Sequence, residues 1–426
     1  MPKGKKTAPA PEPKIDHGKK VEAIVEAKLS APKKGEIAFD RGKEIELLKA
    51  TINKQFKTGG AIVSGNEFSN VFILRRPTGI TSIDVALGGG FPAGGLSQII
   101  GKDSVGKDYL ANRTAACVQQ IYGEQSAIAF CPTEMAFDKP YAKYLCGVNI
   151  AFSNKEIEEL EAARKTPVSP EERVWLKHQT GHIEQSMFAV AEEHLEAAAQ
   201  LIESNCFQLV VINSFGALLT AAEAEAEGGI ADKHRGGAAM AITQFMHRLH
   251  AALNSPDKRG KPNLTTVIGI NQYRDNVNAG MYGNPMKLAG GWALRHGKLV
   301  DLHVEQGARI KTKVGSEDRI IGKEIHWELT KGKAGCHDGP KGTYSFFFGE
   351  NNGFFGADIW TDLLVAGIRH GVIAQSGAWY AYKGENLAFG KEKCAELLFQ
   401  KPELTQAIRQ DIFAAAKVQF ITREAD

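Results

Sequence analysis

Short, almost continuously apolar runs alternate with longer helical stretches between residues 71 and 330. Four of these runs are LSQII (96–100), SAIAFC (126–131), QLVVI (208–212) and TTVIGI (265–270). The stretches between them, such as KDYLANRTAACVQQIYG, have the apolar spacing of helices. Strands that are apolar on both faces and alternate with helices are typical of a parallel sheet covered by helices on both sides. The pattern therefore predicts an α/β fold.

The composition of the chain excludes several classes of protein. The chain has 426 residues, of which 43% are hydrophobic and 24% charged, enough for about two or three globular domains. Its net charge of +3 excludes a histone-like polycation but permits a local DNA-binding face. No apolar run approaches the ~20 residues that span a bilayer, so we expect no membrane partner. The six cysteines form no CxxC pair, which disfavours a zinc ribbon or disulfide scaffold and favours an intracellular, cytoplasmic protein.

A glycine-rich segment directly follows the run LSQII and directly precedes a helical pattern. This GxxxxGK segment consists of Gly101, Lys102, Asp103, Ser104, Val105, Gly106 and Lys107. Between a strand and a helix, such a loop surrounds a phosphate with backbone N–H groups, and the helix N-terminus adds positive potential. We expect Lys107 to reach the outer phosphates of a nucleotide. The next residues, Asp108 and Tyr109, complete the predicted phosphate-binding segment.

Two positions depart from the phosphate-loop pattern, and both concern the metal ion. Asp108 stands where Ser or Thr is expected, and Asn213 ends the strand QLVVIN where an aspartate is expected. A carboxylate about 4 Å from a phosphate charge is repelled by roughly 4 kcal/mol at an effective dielectric constant near 20. With Mg²⁺ between them, the same carboxylate becomes a favourable oxygen ligand. We therefore predict a Mg²⁺ site at Asp108 and Asn213; the alternative is a decayed site that binds nucleotide poorly.

The composition and the apolar pattern of the sequence change along the chain and predict four parts. Residues 1–35 are rich in lysine, proline and alanine, and we expect a disordered basic tail. An amphipathic helix lies in a small element at 36–70, and the α/β core spans 71–349 with a charged insertion at about 153–180. Aromatic, strand-like segments and a helical end form a C-terminal domain at 350–426.

Five segments resemble, in collinear order, the RecA family of DNA strand-exchange recombinases. They are DRGKEIELLKATINKQFKTGGAI, RRPTGITSIDVALGGGFPAGGLSQIIG, TEMAFDKPYAKYLCGVNI, INQYRDNVNAGMYGNPMKLAGGWAL and SGAWYAYKGENLAFGK. They cover roughly residues 36–420. The resemblance implies a RecA-like P-loop NTPase core with a parallel-rich central sheet flanked by helices. It also implies a small N-terminal helical element for polymerisation and a small α/β C-terminal domain that guides DNA.

The resemblance assigns roles around the ATP site. It implies that Glu134 orients and deprotonates the water that attacks the γ-phosphate. Asp138 and Tyr141 match positions that hold the adenine, and Gln272 matches an amide that senses the γ-phosphate and signals to the following loop. An amide suits such a switch because it can donate or accept a hydrogen bond without changing charge.

The resemblance also implies two DNA-binding loops. AEAEGGIADKHRGGAAMA is similar to the first, with Arg235 where the bacterial pattern has an apolar wedge. In the second, Arg274 matches a cation of the motif and Val277 a wedge that separates stacked bases. Gly290 and Gly291 match backbone contacts to DNA.

Two lysines match a pair that reaches into the nucleotide site of a neighbouring subunit. These are Lys331 and Lys333 in ELTKGKAG, and as i and i+2 positions of an extended segment they point the same way. The resemblance therefore implies an ATP site completed between protomers of a helical homo-oligomeric filament. Near the C-terminus, Lys383 is a candidate guide for double-stranded DNA, with solvated surface as the alternative.

The favoured function is an ATP- and Mg²⁺-dependent recombinase that coats single-stranded DNA, aligns it with homologous double-stranded DNA and exchanges strands. One alternative is a catalytically weakened filament or accessory protein that binds ATP and single-stranded DNA without efficient hydrolysis, because Asp108 and Asn213 alter the metal site. Another is a hexameric helicase motor, which the N-terminal helix and the C-terminal segment AWYAYKGE disfavour.

Overall fold

The computed structural model describes most of the chain, in two units. The described residues are 41–55, 74–134, 137–224, 237–257, 260–275, 286–314, 317–351, 354–420 and 422–423. The first unit spans residues 1–55, and its described element is one helix, α1 (Arg41–Gln55). The second unit spans residues 56–426 and contains all other described elements.

Helices and strands alternate along most of the second unit. The helices are α2 (Thr81–Ala86), α3 (Lys107–Tyr122), α4 (Asn154–Arg164), α5 (Pro170–Lys177), α6 (Ala191–Glu203), α7 (Ala221–Ala224), α8 (Gly237–Asn254), α9 (Gly291–Gly297), α10 (Ile359–Arg369), α11 (Lys391–Gln400) and α12 (Pro402–Ala415). The strands are β1 (Arg75–Arg76), β2 (Phe91–Pro92), β3 (Gly95–Gly101), β4 (Ala127–Pro132), β5 (His182–Gln185), β6 (Leu209–Asn213), β7 (Thr266–Asn271), β8 (Tyr273–Asp275), β9 (Met286–Leu288), β10 (Val300–Val314), β11 (Glu317–Gly332), β12 (Lys341–Asn351), β13 (Phe354–Ala357), β14 (Ile373–Ser376), β15 (Trp379–Tyr382) and β16 (Glu385–Phe389). A 3₁₀ turn (Gly123–Gln125) and a π-helical turn (Tyr141–Leu145) accompany them.

A nine-stranded sheet forms the centre of the second unit. Its order is β13-β12-β11-β10-β3-β7-β6-β4-β5. In this spatial order, β10, β3, β7, β6, β4 and β5 pair in parallel. The pairs β10–β11, β11–β12 and β12–β13 are antiparallel. The sheet continues to Ala357, beyond the boundary that the sequence predicts at residue 350. The mostly parallel sheet confirms the predicted α/β fold class.

Apolar side chains cover the sheet on both faces. Along β6, Leu209 and Val211 join a core that contains helix α3, whereas Val210 and Ile212 join a core that contains α6 and α8. Strands whose successive side chains enter two different cores are apolar throughout, which explains the unbroken runs in the sequence.

The β10–β11 hairpin is much longer than the strand beside it. β10 pairs with β3 only over Val300–Val304, where β3 ends at the phosphate loop. Its pairing with β11 continues to Val314. Because β10 runs parallel to β3, the hairpin projects past the loop that follows β3.

Two smaller bodies flank the central layers. The strands β14–β16 form an antiparallel sheet that shares a core with α10–α12. Residues 153–180, predicted as a helical or loop insertion, contain α4 and α5. Their core includes Ile157 and Leu176, and a capping box between Ser153 and Glu156 begins α4.

Among the described residues, no helix combines the length and the apolarity that a bilayer span requires.

Candidate functional site

The carboxyl ends of four neighbouring parallel strands meet at one edge of the sheet. β4, β6, β7 and β3 are consecutive in the strand order, and their chain continues into Glu134, Ser214, Gln272 and the phosphate loop, respectively. A cavity of about 500 Å³ opens there. Ligands of open α/β sheets bind at such edges, so this cavity is the candidate active site.

The phosphate loop has the backbone that its glycines predict. Gly106 precedes α3 with a φ of +89°, a left-handed conformation that favours glycine. Gly101 passes so close to β10 that a Cβ would lie 2.4 Å from the carbonyl oxygen of Val304. These two glycines therefore fix the path of the loop around the N-terminus of α3.

Lys107 lies inside this loop. Its Nζ donates a hydrogen bond to the carbonyl oxygen of Lys102 over 2.6 Å, and only 4% of the residue is exposed. Burial lowers the pKa of its ammonium, and the carboxylates of Asp108 and Asp103 oppose that shift. A cation that is buried beside an anion-binding helix end is suited to a phosphate group.

The two unusual residues of the motif are in contact. Asn213 Nδ2 donates a hydrogen bond to Asp108 Oδ1 over 2.5 Å, and both residues line the cavity. Enclosure raises the pKa of the Asp108 carboxyl, while Lys107 and the hydrogen bond from Asn213 act in the opposite direction. The carboxylate of Asp108 and the amide oxygen of Asn213 are hard oxygen donors of the type that Mg²⁺ prefers, so the pair fits a Mg²⁺ site chemically.

Glu134 is held by two partners from neighbouring strands. Ser214 Oγ donates to Glu134 Oε1 over 2.5 Å, and Gln272 Nε2 donates to the same oxygen over 3.1 Å. Ser214 was not among the predicted site residues. Its position after a buried strand, next to Asn213, is the sequence signal that identifies it.

Several aromatic side chains line another part of the cavity. Phe137, Tyr141 and Phe346 line it, together with Asp138, whose carboxylate accepts a hydrogen bond from the Tyr141 backbone N–H over 2.9 Å. Burial raises the pKa of the Tyr141 hydroxyl, which stays protonated. Such walls suit a nucleotide base.

The predicted phosphate-binding residues divide into groups. Ser104, Gly106 and Asp108 line the cavity, Lys102 and Asp103 are exposed, and Val105 belongs to the core. Tyr109 is 2% exposed, accepts a hydrogen bond from the Ala357 N–H and packs edge-on against Phe346. The structure therefore places the side chain of Tyr109 in the core and not in the cavity.

Lys323 on β11 also lines the cavity, although no sequence motif points to it. Its Nζ donates a hydrogen bond to the carbonyl oxygen of Ser104 in the phosphate loop. The contact joins residues 219 positions apart, and only the hairpin geometry brings them together.

The base of the predicted second DNA loop is connected to Gln272. β8 and β9 form a two-stranded antiparallel ladder in which Arg274 is paired with Lys287. Asn271 Nδ2 donates to the carbonyl oxygen of Ala289 over 3.0 Å, and Gly290 and Gly291 follow at the start of α9. Val277 in this loop and Arg235 in the first loop lie outside the described residues.

The three remaining lysines lie apart from the cavity of their own protomer. Lys331 donates to the carbonyl oxygen of Arg295 over 2.7 Å, and Lys333 is exposed just after β11 ends. Neither lysine lines the cavity. Lys383 pairs with Asp411 over 2.9 Å on the surface of the C-terminal body.

Two protein-family models match most of the chain. The RecA N-terminal domain family matches residues 43–155 and 179–338, and the RecA C-terminal domain family matches residues 361–417. The chain is 31% identical over 374 residues to Protein RecA of Saccharopolyspora erythraea, covering 88% of this chain and 92% of the relative. It is also 31% identical over 375 residues to Protein RecA of Francisella tularensis subsp. novicida, covering 87% and 89%. A crystal structure of the RadB recombinase aligns with 63% of this chain and 94% of its own, at 17% identity and a TM-score of 0.38.

Proposed function

Because the chain belongs to the RecA family, we propose that it is an ATP-dependent DNA recombinase. In this proposal it forms a helical filament on single-stranded DNA, pairs that strand with a homologous duplex and exchanges strands. The observation that carries the proposal is that the phosphate loop and Glu134 line one cavity, while Gln272 donates a hydrogen bond to Glu134. Three strand ends that are distant in sequence supply a phosphate site, a carboxylate base and a polar sensor.

The cavity has the parts that ATP binding needs. The phosphate loop and Lys107 bind the phosphate groups, and Asp138 and Tyr141 lie where the base would bind. Asp108 and Asn213 would hold Mg²⁺ at the end of the loop. When bound, Mg²⁺ neutralises phosphate charge during phosphoryl transfer.

In this proposal Glu134 acts on the attacking water. Ser214 donates to Oε1, and Gln272 donates to Oε1 over 3.1 Å and to Oε2 over 3.5 Å. Oε2 has only the longer of these contacts, so it is the freer oxygen for accepting the water proton. A carboxylate whose orientation is fixed by two donors needs little reorganisation when the reaction begins.

Gln272 connects this chemistry to the predicted DNA loop. Its backbone N–H donates to Asn271 Oδ1 over 2.9 Å, and the amide nitrogen of Asn271 holds the carbonyl oxygen of Ala289 at the far side of the loop. If Gln272 exchanges Glu134 for a γ-phosphate oxygen, both sides of the loop base are affected. DNA binding and hydrolysis are coupled through this amide in our proposal.

The filament is proposed to complete the site. Lys331 and Lys333 do not line the cavity of their own protomer, which is compatible with a role in the site of a neighbour. Helix α1 has 15 residues with apolar side chains at helical spacing, and we propose that it packs on the next protomer. Both features favour a head-to-tail assembly.

A strand-exchange assay tests this proposal. Filaments on a fluorophore-labelled strand are mixed with a quencher-labelled homologous duplex, with heterologous duplex as the control. We expect the signal to change only with ATP, Mg²⁺ and homology, and the Glu134→Gln variant should fail to turn over. Homology-independent binding without exchange would contradict the proposal.

The weakened filament protein is the second candidate because Asn213 donates to Asp108. If that hydrogen bond persists with nucleotide bound, it occupies an oxygen that a metal ligand must offer. This candidate predicts filaments on single-stranded DNA that bind ATP with little turnover.

A further inference from the structure

The long β10–β11 hairpin places a lysine beside the phosphate loop of the same protomer. Lys323 pairs with Arg309 across the hairpin at a level beyond the last residue that β10 shares with β3. From there its ammonium reaches the carbonyl oxygen of Ser104. If the hairpin ended at the same level as β3, it would not supply a side chain beside Ser104.

Lys323 is a buried cation without a carboxylate partner. Only 8% of the residue is exposed, and the Phe348 ring lies 5.4 Å from its Nζ. Within the described ranges, no Asp or Glu forms an ion pair with it, and burial alone lowers its pKa. A buried ammonium that has only a carbonyl oxygen and a ring for partners is unfavourable unless an anion joins it.

The phosphate loop itself lacks net positive charge. Its two lysines, Lys102 and Lys107, are matched by Asp103 and Asp108, so the formal charges of residues 101–108 cancel. Glu134 adds a further carboxylate to the cavity wall. A triphosphate that enters this site with Mg²⁺ therefore gains from a further cation on another element, and among the described residues Lys323 is the lysine that lines the cavity from outside the loop.

We propose that Lys323 is a second phosphate-binding cation, supplied by the same protomer, that contacts the phosphate chain of the bound nucleoside triphosphate and offsets the charge of Asp108. This inference rests on the proposed ATP site. It assigns the extended hairpin a role: to carry a cation over the phosphate loop. Nucleotide binding then also ties the hairpin to the loop through a shared anion.

A purely structural role for Lys323 makes a different prediction. If its hydrogen bond to Ser104 only fastens the hairpin, its loss should lower stability without nucleotide and weaken adenosine and ATP binding alike. If it binds phosphate, its loss should affect ATP far more than adenosine and should not lower the stability of the free protein.

The test compares Lys323→Met, Lys323→Arg and the control Lys313→Met, which changes an exposed lysine on the same hairpin. Titration calorimetry of the full chain with Mg²⁺-ATP should show affinity about 10- to 100-fold weaker for Lys323→Met, the range of one lost hydrogen bond to a charged group. Lys323→Arg should retain part of the affinity, Lys313→Met all of it, and adenosine binding should change less than about threefold. The melting temperature of nucleotide-free Lys323→Met should equal or exceed that of the unmodified chain, because a buried charge has been removed.

The experiment separates a failure of this inference from a failure of the proposed function. Unchanged ATP affinity in Lys323→Met, or an equal loss for adenosine and ATP, would overturn the inference while the proposed function stands, provided that Lys107→Met loses ATP. An unmodified chain that binds no ATP would overturn both.

Discussion

In this phosphate-loop metal site, the carboxylate expected at the end of β6 is replaced by Asn213, and a carboxylate stands instead at Asp108 in the first turn of α3. Asp108 follows Lys107 where a hydroxyl is expected, and Asn213 ends β6 where a carboxylate is expected. The 2.5 Å hydrogen bond from Asn213 Nδ2 to Asp108 Oδ1 brings the two side chains together, so one ion would lie within reach of both. One carboxylate remains in the pair, so the charge available to a cation is preserved although its position has changed.

This arrangement predicts an unusual dependence on Mg²⁺. Without the ion, the Asp108 carboxylate repels the phosphates; with the ion, it becomes a ligand. The unmodified chain should therefore bind ATP at least about tenfold more tightly with Mg²⁺ than with EDTA, from a repulsion of roughly 4 kcal/mol at most. Asp108→Asn, which keeps the shape, should be nearly indifferent to Mg²⁺ in calorimetric titrations. An unmodified chain that is equally indifferent would contradict the exchange of ligands and favour a decayed site.

The Asp108 carboxyl should also affect how the affinity for Mg²⁺-ATP depends on pH. Its raised pKa means that it stays protonated, and neutral, to a higher pH than an ordinary aspartate. Affinity for Mg²⁺-ATP should thus rise with pH through that pKa and level off above it. The ratio of dissociation constants between the unmodified chain and Asp108→Asn, measured from about pH 4.5 to 8, cancels the titration of ATP itself. A flat ratio across this range would show that Asp108 does not act as a charged ligand.

At the scale of elements, Lys143 fastens the insertion to the cavity wall. It belongs to the π-helical turn that begins at Tyr141, and it is 2% exposed. Its Nζ donates to the carbonyl oxygens of Ile150 and His178, and it lies 4.6 Å from the Trp175 ring. Burial lowers the pKa of Lys143 to about 8. One ammonium therefore ties the turn that carries Tyr141 to the end of α5.

Replacing this lysine should loosen the insertion. Lys143→Met leaves buried carbonyl oxygens without a donor, and we expect a loss of about 2 kcal/mol in the local free energy of unfolding. Hydrogen exchange of α4 and α5 reports the loss directly. Lys155→Met changes an exposed lysine of α4 and should leave exchange unaltered. Equal protection in both variants would mean that Lys143 contributes nothing to the attachment.

The sequence selected Asn213 through the phosphate-loop pattern, and Glu134 and Gln272 through the family resemblance. In the structure all three lie at the ends of parallel strands, whose carboxyl ends share one edge of the sheet. The sequence does not identify residues whose position in the site depends on long-range strand register. Lys323 reaches Ser104 only because of the hairpin length, and Tyr109 turns into the core because α3 packs that face on Phe346. The residue spacing along the chain contains neither fact.

At the scale of the whole molecule, the ATP site is proposed to require two protomers. Each protomer carries its phosphate loop at one edge of the sheet, while Lys331 and Lys333 lie at the end of β11 away from that cavity. Hydrolysis would then report assembly, because a lone protomer lacks these two cations. A head-to-tail filament supplies them at every interface except its last.

A mixing experiment tests the shared site. Lys331→Ala with Lys333→Ala should abolish DNA-stimulated turnover but leave ATP binding nearly unchanged, and Lys107→Met should lose both. When the two variants are mixed, interfaces that combine an intact phosphate loop with intact lysines should form. We expect up to about a quarter of the original turnover from random mixing in a heterologous assembly. Normal turnover in the double variant alone would remove both lysines from the mechanism.

In the proposed function, the protein still hydrolyses ATP on DNA despite its altered metal site. The direct measurement is the rate of Mg²⁺-dependent ATP hydrolysis by the unmodified chain, with and without single-stranded DNA, with Glu134→Gln as the blank. We expect strong stimulation by DNA that Glu134→Gln abolishes. Filaments that form on DNA while ATP turnover stays at the level of the blank would contradict it and identify the chain as a binding-only member of its family.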